Sequence, residues 1–160
     1  MRKDFAELLY NEMEVNKNVY LITADLGYGL WDKIRDKFQN KGRFLNIGSS
    51  EMTMMGMGIG LAMEGKIPFV YSITPFAIYR PFEMIRNYID HENISVNIVG
   101  GGRDKDYGYL GFSHWADDDK KIMQSFKNIR KMHPIDSDQL QINFNSIIND
   151  PCPTYINLKK

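Results

Sequence analysis

The sequence predicts an α/β fold in three layers, a mainly parallel sheet with helices on both faces. Three features predict it. Strand and helix patterns alternate from end to end, as they do when helical crossovers join parallel strands. Several strand candidates are continuous apolar runs, which a sheet covered on both faces requires. Polar segments containing glycine (ADLGYG, NIGSSEM and GGGRDKDYGYLGFSH) follow three of these runs, where such sheets place their ligands.

In chain order, Phe5, Ala6, Leu8, Leu9 and Met13 fall at helical spacing. In NVYLITADLG, Val19 to Ile22 are continuously apolar and read as a buried strand ending in a polar turn. Trp31, Ile34 and Phe38 predict a short amphipathic helix, and RFLNIG the next strand. Ser49 or Ser50 is placed to cap a helix from about Glu51 to Met63, with Glu51 in the first turn, where the helix dipole favours negative charge. Gly56, Gly58 and Gly60 lie inside that helix, each costing about 0.8–1.0 kcal/mol relative to alanine. They imply close approach of another backbone, either a second copy of the chain or the helix's own sheet. Pro68 opens the strand IPFVYSI, and a helix is expected from about Arg80 to Ile89. The strand ISVNIVG, a glycine-rich loop, a helix near Asp118 to Phe126, the strand NIRKM, the helix QLQINFNSII and the strand PTYINL follow. Residues 1–160 show no repeat or linker and read as one domain.

Composition sets limits on function. Twenty Lys and Arg balance twenty Asp and Glu, so no global field draws nucleic acid or an anionic membrane. The longest apolar stretches are interrupted by Glu64 and Lys66, short of a membrane span, and the N-terminal stretch does not read as a signal peptide. A cytoplasmic protein is expected. The lone Cys152, between Pro151 and Pro153, has no disulfide partner in the chain and reads as a plain thiol at a turn. His91, His114 and His133 are scattered, without the spacing of a protein-only metal site.

The informative stretch is RFLNIGSSEMTMMGMGIGLAMEGKIPFVYSITPFAIYRPFEMIRN. Its order is an arginine, a strand with Asn-x-Gly, a glutamate opening a glycine-rich helix, Gly-x-x-Pro, then an aromatic segment and Arg-x-x-Glu. In this order it resembles the pyrimidine-binding (PYR) domain of transketolases and deoxyxylulose-phosphate synthases. ADLG and PTYINL extend the resemblance over nearly the whole chain, and the implied fold is the thiamine diphosphate-binding fold of PYR type. The implied cofactor is thiamine diphosphate. In that family the glutamate corresponding to Glu51 hydrogen-bonds N1′ of the aminopyrimidine. Proton sharing there favours the imino tautomer, whose N4′ can remove the thiazolium C2 proton. The site needs a poorly solvated carboxyl for this work. Without the resemblance, Glu51 would read as an ordinary charge in a first helical turn.

Counting the family's spacing from Pro68 places the aminopyrimidine contacts at Ile73, Phe76 and Tyr79, on the strand and the loop after it. Phe76 is expected to stack on the ring, Tyr79 to touch its edge and Ile73 to offer packing; ordinary core is the competing reading of all three. Asp25 and Leu26 match residues near the thiazolium, and an Asx turn ending a strand explains Asp25 as well. Arg80 and Arg86 read as structural helix charges. His114 matches a histidine that faces the substrate. Around it the pattern departs: Leu110 stands where relatives carry an aspartate, Gly102 falls near the position of a second histidine, and Trp115 replaces glutamine. The cofactor half of the site is retained while the substrate half is remodelled.

No Gly-Asp-Gly motif for magnesium and diphosphate occurs in the sequence, nor the family's third domain. The resemblance therefore implies a split enzyme. A partner subunit of the diphosphate-binding, transketolase N-terminal type would hold magnesium, and the chain would pair with itself through the glycine-rich helix within a heterotetramer. The implied reaction transfers a two-carbon ketol or acyl unit from a small sugar or keto donor to an aldehyde. A heteromeric decarboxylase or acyloin-forming enzyme shares the same features. A non-catalytic scaffold remains the reading from another class, although a scaffold has no need of Glu51.

Overall fold

The computed structural model describes residues 1–160. Helix α1 (Arg2–Val15) leads into β1 (Val19–Thr23), followed by α2 (Asp32–Phe38), β2 (Phe44–Asn46) and α3 (Glu51–Met63). Strand β3 (Ile67–Ile73) runs directly into α4 (Thr74–Tyr79), and α5 (Phe82–Met84) continues as a π-helical segment over Ile85–His91. Strand β4 (Asn97–Gly101), α6 (Asp119–Met123), β5 (Arg130–Met132), α7 (Ser137–Asn149) and β6 (Thr154–Leu158) complete the order.

The six strands form one sheet in the order β2-β1-β3-β4-β6-β5, and every pairing is parallel. The chain steps outward from β1 to β2, then returns past β1 to β3. The winding direction therefore reverses between β1 and β3, and the crevice beyond their carboxyl ends is the place such sheets offer to a ligand. The edge strands β2 and β5 are only three residues long, shorter than RFLNIG and NIRKM suggested.

Alternation along the strands divides the core into two. Phe5, Leu9, Trp31, Phe38 and Phe144, from α1, α2 and α7, pack on the face that carries Leu21, Phe69 and Tyr71. Met54, Met55, Ile59, Ile78 and Ile85, from the helices after β2 and β3, pack on the face that carries Ile22, Val70 and Ile98. Continuous apolar runs arise because consecutive strand residues feed opposite cores.

Two local expectations are corrected. The helix expected over Arg80–Ile89 starts earlier, at Thr74, and breaks at Pro81. Pro75 sits in the first turn of α4, where its missing N–H costs nothing. Pro81 has no N–H to extend that helix, and the chain restarts with Ile85 N–H donating to the Pro81 carbonyl at 3.1 Å. Ser50 occupies the N-cap of α3 but makes no capping bond; its hydroxyl lies 2.7 Å from that of Thr53 instead.

The glycines of α3 divide as well. A Cβ on Gly58 would stand 2.8 Å from Val70 Cγ1 and 3.4 Å from Val96, inside the chain's own core. Gly58 therefore serves packing on the sheet, and the expected role at a subunit contact is corrected for it. Met54 and Met55 are core as well, whereas Met52 and Met63 are exposed and a Cβ on Gly60 would meet nothing. Gly58→Ala should destabilise the chain by about 1–3 kcal/mol through overpacking, despite alanine's better helix propensity. Gly60→Ala should stabilise it by about 0.5–1 kcal/mol. Urea unfolding of both variants checks the contrast, and equal stabilities would remove the packing assignment.

Candidate active site

Glu51 opens α3 at the carboxyl end of β2 and is only 3% exposed. Its carboxylate meets one cation: Arg80 Nη1 donates to Glu51 Oε1 at 2.7 Å. Arg80 reaches inward from the end of α4 with half its surface still exposed. Its guanidinium carbon stands 3.9 Å from the centroid of the Phe76 ring, a close cation–π stack. The same ring forms a T-shaped pair with His114, with centroids 5.0 Å apart and planes at 68°. Glu51, Arg80, Phe76 and His114 thus form one connected group.

The other expected residues lie around this group without joining it. Ile73 is buried as the last residue of β3 and bears on α4 through the backbone. Tyr79 is partly exposed, and its hydroxyl donates to Asp118 on the far loop rather than toward Glu51. Burial and that bond push the Tyr79 hydroxyl well above its ordinary range. Phe76 and Tyr79 belong to helix α4, not to a strand or loop, which corrects the expected setting of both. Asp25 adopts φ +56°, the left-handed region rare for residues other than glycine. It is held there by Asn46, whose Oδ1 accepts from Asp25 N at 2.9 Å and from Gly48 N at 3.2 Å. Tyr28 donates its hydroxyl to Asp25, and that bond raises the tyrosine's pKa. Leu26 receives a bond at its carbonyl from Thr23 Oγ1 at 2.7 Å and packs on the first core.

The loop after β4 is fixed from below by a buried polar network. Asp119 Oδ2 accepts from Tyr155 Oη at 2.6 Å and from Asn157 Nδ2 at 2.8 Å. Thr74, the first residue of α4, donates to the Gly102 carbonyl at 2.6 Å beside the same Asn157 side chain. Gly102 has φ +91°, and a Cβ there would strike the Tyr107 ring at 2.4 Å. A side chain at this position is excluded sterically while Tyr107 holds its place. Leu110 is exposed on a short 3-10 turn, and Trp115 donates to the Gly108 carbonyl at 3.3 Å within the loop.

A second region lies beyond β1. A cleft of about 540 Å³ is lined by Arg2, Lys3 and Lys160, with Tyr28 and Leu30 on its apolar side. Arg2 Nη1 donates to Tyr107 Oη at 2.8 Å, while its Nε is buried without a partner. Three cations around one cleft, with only Asp4 opposing them, suit an anionic group.

The whole chain, residues 1–160, matches the family described as "Transketolase, pyrimidine binding domain". The chain belongs to that family. It is 30% identical over 158 residues to a 6-deoxy-6-sulfo-D-fructose transketolase subunit of Clostridium sp. strain MSTE9, covering 99% of this chain and 49% of that protein. It is 30% identical over 116 residues to an apulose-4-phosphate transketolase subunit of Actinobacillus succinogenes, covering 72% of this chain and 37% of that protein. Among solved structures, a split gene transketolase described as an inactive β4 tetramer superposes with a TM-score of 0.84 at 29% identity, covering 99% of this chain and 50% of that one. A transketolase from Campylobacter jejuni shares the fold with a TM-score of 0.89 at 18% identity, covering 99% of this chain and 25% of that one. The chain spans about half the length of the first relatives it matches, or less. The sheet with helices on both faces is the transketolase PYR fold, as the sequence predicted. Enzymes of this family use thiamine diphosphate. No helix is long and apolar enough to cross a membrane.

Two parts of this site escape the sequence. Arg80 reads there as a helix charge, although the Arg-x-x-Glu motif points to it. The network of Asp119, Tyr155, Asn157 and Thr74 leaves no signal, because its members are far apart in the chain. Burial opposes ionisation of Asp119, yet His133, with Nε2 3.5 Å from Oδ2, and the bond from Tyr155 hold its carboxyl below the usual range. A lowered folded pKa stabilises the protein above the unfolded value of about 3.9, and this is lost as pH falls through the folded value. Asp119→Asn should therefore flatten the acid unfolding transition. Asp119→Ala should cost about 1–3 kcal/mol for each buried partner left unpaired, read by unfolding at neutral pH.

Proposed function

We propose that this chain is the pyrimidine-binding subunit of a thiamine diphosphate-dependent transketolase-type enzyme that moves a two-carbon ketol or acyl unit to an aldehyde. The observation that carries this reading is the buried Glu51 carboxylate joined through Arg80 to the Phe76 ring at the sheet's switch point. The residues present fit the cofactor's aminopyrimidine, because a planar cation with N–H donors already satisfies the same carboxylate and ring. Bound thiamine diphosphate would supply a thiazolium carbon able to add to a carbonyl and hold the resulting negative charge.

The chain's own residues would do the rest. Glu51 would share a proton with the aminopyrimidine N1′, in a position that water barely reaches. Phe76 would stack on that ring, with Ile73 and Tyr79 bounding it, and Asp25 and Leu26 would face the thiazolium. His114, held in a T-shaped pair with Phe76, would meet the substrate's oxygens. The cationic cleft of Arg2, Lys3 and Lys160 would hold an anionic end of the substrate. Two relatives carry names with a sulfo sugar and a sugar phosphate, both anionic, which supports this class. It also favours ketol transfer over the decarboxylase reading.

Magnesium and the diphosphate would sit on a partner subunit of the transketolase N-terminal type, since split transketolase subunits are among the relatives. Exposed Met52, Met63, Phe82 and Tyr88 offer apolar surface for that partner and for a second copy of this chain. A homodimer within a heterotetramer is the proposed assembly, and light scattering on the reconstituted pair gives its stoichiometry.

Glu51→Gln in the reconstituted pair should preserve assembly and lower turnover by roughly 10²–10⁴. Exchange of the cofactor's C2 proton, followed by NMR, should slow in parallel. Unchanged exchange would reduce Glu51 to a helix-end charge. Lys160→Ala should raise KM for a phosphorylated or sulfonated substrate about tenfold or more while kcat changes little, the pattern of lost uniform binding. A variant with unaltered KM would remove the anion assignment of the cleft.

A further inference from the structure

Arg80 holds two groups at once. It donates to the Glu51 carboxylate at 2.7 Å, and its guanidinium carbon stands over Phe76, 3.9 Å from the ring centroid. A guanidinium is a planar, delocalised cation that presents N–H donors in its own plane and stacks on aromatic faces. An aminopyrimidine protonated or hydrogen-bonded at N1′ has the same attributes. Both would direct an N–H at one carboxylate while laying a flat π-surface on one ring.

We propose that Arg80 is an internal stand-in for the aminopyrimidine, occupying its subsite in the unassembled chain and withdrawing when the cofactor enters. The inference rests on the reading that Glu51 and Phe76 receive that ring.

Four features of the chain support exchange rather than a permanent lock. Glu51 is 3% exposed, so an unpartnered carboxylate there would carry a heavy desolvation cost, and some cation has to meet it. Arg80 is 48% exposed, so its side chain reaches the site from the solvent side and has room to leave. It stands where α4 ends at Pro81, at a break in the helical backbone. Its guanidinium engages only Glu51 and Phe76, so leaving strands no third group.

The consequence is a reduced affinity in the unassembled chain. When only a fraction of molecules has the subsite open, the apparent dissociation constant rises by the inverse of that fraction. A stand-in present in about nine molecules of ten would weaken binding about tenfold. Arg80 thereby acts as a positioning residue. It keeps Glu51 and Phe76 in their places until the ring arrives, and it limits binding before the partner subunit adds the diphosphate contacts.

The test titrates the full chain with thiamine, which carries the aminopyrimidine without the diphosphate. NMR follows the Glu51 side-chain carboxyl carbon and the Arg80 Nε–H group. In wild type, thiamine should shift both signals together, with Arg80 moving toward the position of a free side chain. Arg80→Met should bind thiamine about 3- to 10-fold more tightly. Arg80→Lys keeps a charge for Glu51 but cannot stack as a plane, and should fall between the two. Glu51→Gln should weaken binding in both the wild-type and the Arg80→Met background. Circular dichroism confirms that each variant is folded. Equal binding by wild type and Arg80→Met, with Glu51→Gln still weaker, overturns the stand-in and leaves the proposed function standing. Weaker binding by Arg80→Met makes Arg80 a permanent wall of the site and also overturns it. Binding indifferent to Glu51 removes the reading on which the proposal rests. Failure of both wild type and Arg80→Met to bind at tens of millimolar overturns the stand-in, because removing a competitor should expose the subsite.

Discussion

A parallel sheet buried on both faces leaves the chain one place to do chemistry. Most strand side chains are committed to one of two apolar cores, and the long helices turn an apolar side to the sheet. Apart from a few buried within the sheet, such as Ser72, Asn97 and Asn157, polar side chains collect where strands end. The reversal of winding between β1 and β3 opens a crevice there. Glu51 enters from α3, Phe76 and Arg80 from α4, and His114 from the loop after β4. The sheet sets these points of entry, and the side chains then have to satisfy one another.

That satisfaction is uneven, and the unevenness carries meaning. The group beneath the site is tightly paired: Asp119 accepts from Tyr155 and Asn157, and Thr74 and Gly102 are tied alongside. It fixes the start of α4 and the start of the loop by buried bonds, whose rupture strands donors away from water. The group above it is looser. Glu51 has a single cationic partner that is half in solvent, and that partner covers one face of Phe76. Rigid support under an exchangeable pair is an arrangement suited to a ligand that brings its own cation.

Much of the fold is legible because two-sided burial writes itself as apolar runs: VYLI, IPFVYSI and ISVNIVG each mark a strand. The boundaries that fail share a cause. Thr74-Pro75 follows β3 without a polar break, so the strand pattern runs into α4 unmarked. Pro81, inside the expected helix, instead divides it. In the site, the family's motif order points to Glu51, Phe76 and His114, and the structure links all three through Arg80 and the Phe76 ring. Arg80 is harder to read, since the partner that gives it meaning lies 29 positions away. Gly58 and Gly60 are alike in sequence, yet one faces Val70 and the other faces nothing. A helical turn of 3.6 residues separates them onto different sides, which composition does not record.

The remodelled loop has a structural reason at one position. Gly102 cannot carry a side chain, because its carbonyl is drawn under Thr74 and Asn157 and its Cβ direction is filled by Tyr107. Tyr107 in turn accepts from Arg2, and Lys160 lies 5.0 Å over its ring. One aromatic ring thus occupies the space a histidine would need and braces two of the three cations lining the second cleft. The absence of a side chain at residue 102 and the ordering of that cationic wall depend on the same ring. On the proposed reading, this geometry would leave out one contact to a substrate hydroxyl and place a cationic wall for a substrate's anionic end. In the proposed site, discrimination would then rest more on charge at the far end of the molecule than on the hydroxyls beside the reacting carbon.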